Sequence, residues 1–224
     1  MTAEGLISDS QRDVIAFLSD PATYEPKPDA VTRIDTHGAH VFAAGDEVFK
    51  IKRAVRYDYM DFSTLEKRRA ACVREFEINA PDAPQIYKGV VAVTRTPGGR
   101  LAIAGRGEPV EWAVHMARFR EEDVLVNRIG RCPLSVDEAK ALADAVAASH
   151  ARAAVVTSPP EGAAIGSIAG NVLDDLRALF GARDAALSAL AERLAREADA
   201  VRGLLQRRAR EGQVRRCHGD LHLG

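Results

Sequence analysis

The chain has 224 residues, which at roughly 150 residues per domain means one domain or one and a half. It is 46% hydrophobic, 28% charged and 5% aromatic, a composition that fits a globular protein and excludes a disordered one. Lys plus Arg number 31 against 32 Asp plus Glu, so the net charge of −1 speaks against a nucleic-acid partner, and no apolar run approaches the ~20 residues of a membrane helix.

The N-terminal residues 1–13 lack the charged-then-apolar layout of a signal peptide. Cys72, Cys132 and Cys217, odd in number and far apart, read as reduced thiols of a cytoplasmic protein. Ser10 to Asp13 resembles a capping box ahead of Val14, Ile15, Phe17 and Leu18, which predicts a first helix stopped by Asp20 and Pro21. A linker with Pro26 and Pro28 follows. Residues 31–34, 40–43 and 47–53 are short β-prone runs separated by Gly38 and by Gly45-Asp46, the pattern of an antiparallel meander. Residues 61–64 are rich in helix-capping types, and 65–79 read as a loosely amphipathic helix carrying Leu65, Cys72, Phe76 and Ile78, ended by Pro81. Strands are expected again at 85–87, 89–94, 101–103 and 111–116, with a turn at 96–99.

From about residue 120 the pattern becomes helical. Ser135 and Glu138 form a capping box, and Val136, Ala139, Ala143, Val146, Ala147 and His150 share one stripe. Residues 157–170 read as a Pro/Gly/Ala-rich loop, followed by a short helix at 172–180 with Gly181 just past its end. Residues 184–210 form a long amphipathic helix through Leu187, Leu190, Leu194, Ala198, Val201 and Leu205. The organisation is an N-terminal helix and linker (1–30), a small β-rich lobe with a hinge (31–119) and a helical lobe (120–224).

The chemistry concentrates at the end of the chain, in His218-Gly219-Asp220 followed by Leu221, His222, Leu223 and Gly224. This polar cluster, bracketed by glycines after a long helix, resembles the catalytic loop of the aminoglycoside phosphotransferase group of the protein-kinase-like superfamily. That loop runs His, Gly, Asp, four residues, then Asn. The resemblance implies that Asp220 accepts or orients the proton of an attacking hydroxyl and that His218 braces the loop. Phosphoryl transfer needs positioning and charge neutralisation more than a strong base, which suits a carboxylate.

Upstream segments extend the likeness. Residues 47–52 resemble the strand whose lysine grips the ATP phosphates, and residues 74–79 resemble the helix that carries its glutamate partner. Lys50 and Lys52 share one strand face, so spacing does not choose between them. Lys50, close behind the Gly45-Asp46 turn, is preferred; Glu75 is the preferred partner and Glu66 the reserve. Residues 112–119 stand where the hinge strand would be, with backbone groups of Met116, Ala117 and Arg118 placed to read an adenine edge.

Together with residues 49–55, 60–66 and 87–94, these segments look like the N-terminal part of bacterial phosphotransferase-like proteins. In many of those, the kinase-like half is fused to a C-terminal P-loop ATPase domain. The implied fold is α+β, protein-kinase-like and two-lobed, with a small antiparallel β lobe and a helical lobe cut short after its catalytic loop. The implied activity is transfer of phosphate from ATP, with Mg²⁺, to a small-molecule hydroxyl acceptor.

Two departures accompany the likeness. No Gly-rich G-x-G-x-x-G loop joins the first strands; residues 36–40 stand in its place. The Asn expected five positions after Asp220, and the metal-binding Asp of the following strand-turn, would fall after Gly224. Both help to hold Mg²⁺ in kinases, so the piece alone is expected to be inactive. The competing reading is a non-catalytic nucleotide-binding, regulatory module. A third is a zinc site of Cys217, His218, Asp220 and His222, with His37 or His40 approaching in space; no metal ligand is assigned on that ground. His115 and His150 are expected to be buried and hydrogen-bonded. The arginines at 207, 208, 210, 215 and 216 are expected on a solvated face, and the cysteines are expected to be inert. Among them Cys217, beside arginines and His218, is the one whose environment would lower its thiol pKa.

Overall fold

The structure is a computed structural model that describes residues 9–57, 59–157, 165–181, 184–219 and 221. The chain forms two compact units, one ending at Leu134 and one beginning at Ser135. Residues 120–134, with the short helix α3 (Leu125–Ile129), therefore belong with the β-rich unit.

The first unit is built on a six-stranded antiparallel sheet, from β1 (Val31–Asp35), β2 (Ala39–Ala44), β3 (Glu47–Lys52), β6 (Tyr87–Arg95), β7 (Leu101–Ile103) and β8 (Glu108–Ala117). Its order is β1-β2-β3-β8-β6-β7, so the expected meander is present and β8 returns to lie between β3 and β6. Gly45 makes the β2–β3 turn at φ +59, a left-handed conformation that costs glycine little. The expected strands at 85–87 and 89–94 merge into β6 through a bulge between Tyr87 and Gly89. A two-stranded hairpin, β4 (Arg56–Tyr57) and β5 (Met60–Asp61), precedes the second helix and had no clear signal in its short, charged sequence.

Strand alternation sends side chains to two apolar layers. Phe42, Ala44, Phe49, Ile51 and Ala113 pack on one face with α1 (Asp9–Ser19), which contributes Val14, Ile15 and Leu18. Ala43, Val48, Val114 and Met116 pack on the other with Cys72 of α2 (Leu65–Asn79). Helix α1 starts at Asp9, so Ser10 lies inside the helix and not at its cap. The buried stripe of α1 also includes Gln11, at i, i+3, i+4 and i+7 with the three aliphatics. Thr64 caps α2 by accepting from the Lys67 N–H at 3.3 Å, as the sequence predicts.

The second unit holds α4 (Val136–Arg152), α5 (Ile165–Phe180) and α6 (Ala185–Arg210). The Ser135–Glu138 capping box is present, and Gly181 follows α5 at φ +97, as predicted. Helix α5 begins inside the segment expected to be loop. Gly166 and Gly170 hid its apolar spacing of Ile165, Ala169, Leu173 and Leu176. Helices α5 and α6 pack together, with Leu187, Leu194, Ala198, Val201 and Leu205 half-buried, while Leu190, expected on the same stripe, is exposed. The stripe expected on α4 stays largely exposed, Val136 and His150 included, so His150 is not the buried histidine it was expected to be.

After α6 the chain returns to the end of α4. Val155 bridges Arg215, the Val156 N–H donates to Val214 O at 2.9 Å, and the Arg216 N–H donates to Ala154 O at 2.9 Å. The Arg215 guanidinium donates to the carbonyls of Ala151 and Ala153, at 2.9 and 3.0 Å. These are orphan acceptors of a helix C-terminus, and a cation there is favoured by the helix dipole. Arg215 is thus a capping group, whereas Arg207, Arg208 and Arg210 lie on an exposed face as expected. No helix among the described residues is long and apolar enough to cross a membrane.

Candidate functional site

Lys50 and Lys52 leave β3 on the face covered by α2, and one carboxylate meets both. Lys50 Nζ lies 2.9 Å from Glu75 Oε1 and Lys52 Nζ lies 2.5 Å from Glu75 Oε2. Neither lysine is therefore a bare edge-strand charge. Glu66, the reserve candidate, is exposed in the first turn of α2, where its carboxylate takes its own backbone N–H and the Thr64 hydroxyl.

Burial works against the Glu75 charge, but the two ammoniums prevail and hold its pKa below the ordinary glutamate value. The side chain of Lys52 is 12% exposed and that of Lys50 30%, so Lys50 is the amine with access to a ligand. Lys52 also stands 5.5 Å over the Phe62 ring, a cation–π contact. Two cations on one anion leave a surplus positive charge, which suits a phosphate group.

Buried and half-buried groups flank Glu75 on α2 and β6. The Cys72 thiol is fully buried, donates to Trp112 O at 3.4 Å and is pushed by burial up to about 12. Tyr87 is likewise raised to about 12, by burial first and by the Glu75 charge second. Asn79 Nδ2 donates to Glu75 O at 2.8 Å and steadies the last turn of α2.

A second charged cluster, which no sequence motif marks, lies nearby. Glu111 of β8 is completely buried, and Arg68 of α2 nearly so. Arg68 Nε stands 2.9 Å from each Glu111 oxygen. Gln11 of α1 donates to Glu111 Oε2 and to Lys52 O, both at 2.8 Å, and its carbonyl accepts from the Ala54 N–H at 2.8 Å. The Trp112 N–H adds a third donor to Glu111, at 3.0 Å. The one available signal was spacing: Arg68, Cys72 and Glu75 fall at i, i+4 and i+7 on α2.

At the expected adenine-reading strand, Met116 is buried and pairs with Val48 on one side and Tyr87 on the other. The N–H groups of Ala117 and Arg118 donate to Ile86 O and Asp46 O, at 2.7 and 2.8 Å. These two donors are engaged inside the unit, contrary to the expectation that they face a base. His115 is stacked on Phe49 at 4.6 Å and hydrogen-bonded to Glu47, as expected, but is half-buried and not fully buried.

His218 is exposed, and Gly219 beside it has φ +83. Asp220 and His222 lie outside the described residues. Among the described residues no group of three or more His, Cys, Asp or Glu side chains comes together as a metal site. Cys72, Cys132 and Cys217 are all free thiols.

No protein-family model matches the chain. It is 39% identical over 134 residues to uncharacterized proteins of Mycobacterium tuberculosis and Mycobacterium bovis. That alignment takes in 59% of this chain but only 24% of each relative, so the chain matches about a quarter of their length. No solved structure matches it.

Proposed function

We propose that this chain is the nucleotide-binding part of an ATP-dependent phosphotransferase with a protein-kinase-like two-lobe fold, acting on a small-molecule hydroxyl. The observation that carries the reading is the meeting of Lys50 and Lys52 with Glu75, between a strand of an antiparallel sheet and the helix that follows it. The return of β8 to the side of β3 supports it, since it places a strand leading out of the small lobe beside the lysines.

In this reading Lys50 binds the α- and β-phosphates of ATP. Glu75 orients it, and Lys52 keeps the carboxylate anchored when Lys50 turns to the ligand. Asp220 holds the acceptor hydroxyl and takes its proton, and His218 braces that loop. The amine pair fits a nucleotide phosphate. The described residues do not fit Mg²⁺, because both Glu75 oxygens are taken by ammonium groups and no other carboxylate cluster is present among them. Relatives in which the matched stretch is a quarter of the protein leave room for a fused domain such as a P-loop ATPase, and a cytoplasmic location suits both.

The test is Mg-ATP binding by calorimetry, followed by phosphate transfer to a panel of sugars and amino alcohols by the longest natural form of the protein. Asp220→Asn should abolish transfer and leave ATP bound. Binding with no transfer by the unaltered protein would assign the non-catalytic regulatory module instead. An unchanged rate in Asp220→Asn would remove Asp220 from the mechanism.

A further inference from the structure

Three polar contacts fix the face that α2 turns to the sheet. Arg68 meets Glu111 at its first half, the Cys72 thiol meets Trp112 O at its middle, and Glu75 meets the lysines near its end. At 100° per residue, a slip of one position would carry Glu75 off Lys50 and Lys52. An apolar pair in place of Arg68 and Glu111 would fill the same space without the cost of desolvating two charges. What it would lack is direction. Greasy surfaces slide and rotate, whereas a guanidinium seated on a carboxylate with no exposed surface has one place to go.

Gln11 extends that fixation to the lysine strand. Its amide holds Lys52 O, the Ala54 N–H and Glu111 together, so the end of β3 and the partner of Arg68 are tied to one side chain on α1. The helix on the opposite face of the sheet thereby reaches the site through the backbone of Lys52.

We propose that Arg68, Glu111 and Gln11 are positioning residues that set the rotation of α2 and the end of β3, and so hold Glu75 on Lys50 and Lys52. The link to nucleotide affinity rests on the phosphotransferase reading; the positioning itself does not. Without the cluster α2 keeps its helix and its apolar contacts but loses its single rotational setting.

The experiment is competitive acetylation of the full chain by an amine-reactive reagent, read lysine by lysine by peptide mass spectrometry. An amine held on a carboxylate is shielded from acylation, so the rates at Lys50 and Lys52 report the pairing directly. The principal variant is Arg68→Met/Glu111→Leu, which removes both charges together and leaves neither stranded. Gln11→Met, nearly the same volume, is read in the same way should the double variant fail to fold.

In a variant with unchanged circular dichroism, acetylation at Lys50 and Lys52 should rise several-fold while that at Lys88 on β6 stays as in the unaltered protein. Unchanged rates at the two lysines would overturn the proposal. So would an equal rise at Lys88, which would mean general loosening. Mg-ATP affinity, measured alongside, should fall by about the same factor. An unaltered protein that binds no Mg-ATP would sink the nucleotide reading and leave the acetylation result to decide the positioning role.

Discussion

Arg68 and Glu75 stand two helical turns apart on one face of α2, the first answered by Glu111 of β8 and the second by Lys50 and Lys52 of β3. The face that α2 turns to the sheet thus carries two charges, with the buried Cys72 between them. Charge faces the sheet, and each charge finds its opposite there.

Removing one member of the buried pair should be far worse than removing both. Arg68→Ala leaves a carboxylate with no accessible surface and no cation, a change that costs about 3–5 kcal/mol. The double apolar replacement should come within about 1–2 kcal/mol of the unaltered protein, because it also removes the desolvation cost. Urea unfolding of the three proteins measures both differences. A double variant no more stable than Arg68→Ala would show that the pair supplies net stability.

The two lysines should separate by assay. Lys50→Ala removes the more exposed amine and should weaken Mg-ATP binding about tenfold or more, equivalent to ~1.4 kcal/mol. Lys52→Ala removes the amine that is shielded, paired with Glu75 and stacked over Phe62, and should lower the melting temperature more than it lowers affinity. Calorimetry and thermal denaturation of both variants give the comparison, and the reverse order would exchange their roles.

Much of this architecture was legible in the sequence, because the strands alternate and their turns carry glycine. The meander, the α2 cap at Thr64 and the Ser135 capping box all rest on local chemistry that a short window contains. The meeting of Lys50 and Lys52 of β3 with Glu75 of α2 was approachable only through resemblance, since no local rule says which glutamate a lysine will meet. The cluster of Gln11, Arg68 and Glu111 was missed, the spacing of Arg68 apart, for a plainer reason. Polar residues at core positions read as surface, and their mutual satisfaction spans 100 positions of chain between Gln11 and Glu111. The sequence predicts a shorter α5 because two glycines interrupt an apolar spacing that packing against α6 restores.

Cys72 and Cys132 should differ sharply toward an alkylating reagent. The Cys72 thiol is buried and raised to about 12, so at pH 8 it is almost wholly protonated and unreachable. Cys132 is exposed. Mass spectrometry after brief iodoacetamide treatment should find Cys132 modified and Cys72 untouched until urea is added. Rapid labelling of Cys72 in the folded protein would contradict its place between α2 and the sheet.

Stability should fall with acid in two stages. Burial depresses the His40 pKa more than its hydrogen bond to Asp35 raises it, so the folded state prefers the neutral ring. The unfolded chain then binds the extra proton, and stability declines as the pH drops below about 6.5. Glu75 is depressed as well, against its burial, by the two ammoniums; its contribution is complete above about 4.3 and is lost as the pH falls through its lower folded value. Urea midpoints followed from pH 7.5 down to about 2.5 should show both declines, the second below about 4.3, and His40→Gln should flatten the first. An equal slope above pH 5.5 in that variant would place the first stage elsewhere.

The return of the chain from α6 to α4 has a kinetic meaning. Arg215 reaches Ala151 across 64 positions, so α5 and α6 form inside a ring that this contact closes. Each helix can wind within about a microsecond from local contacts, but the closing of so long a loop is entropically costly and waits for them. The segment leading to His218 thus acquires its place only at the last stage of assembly, when the helices it depends on already exist.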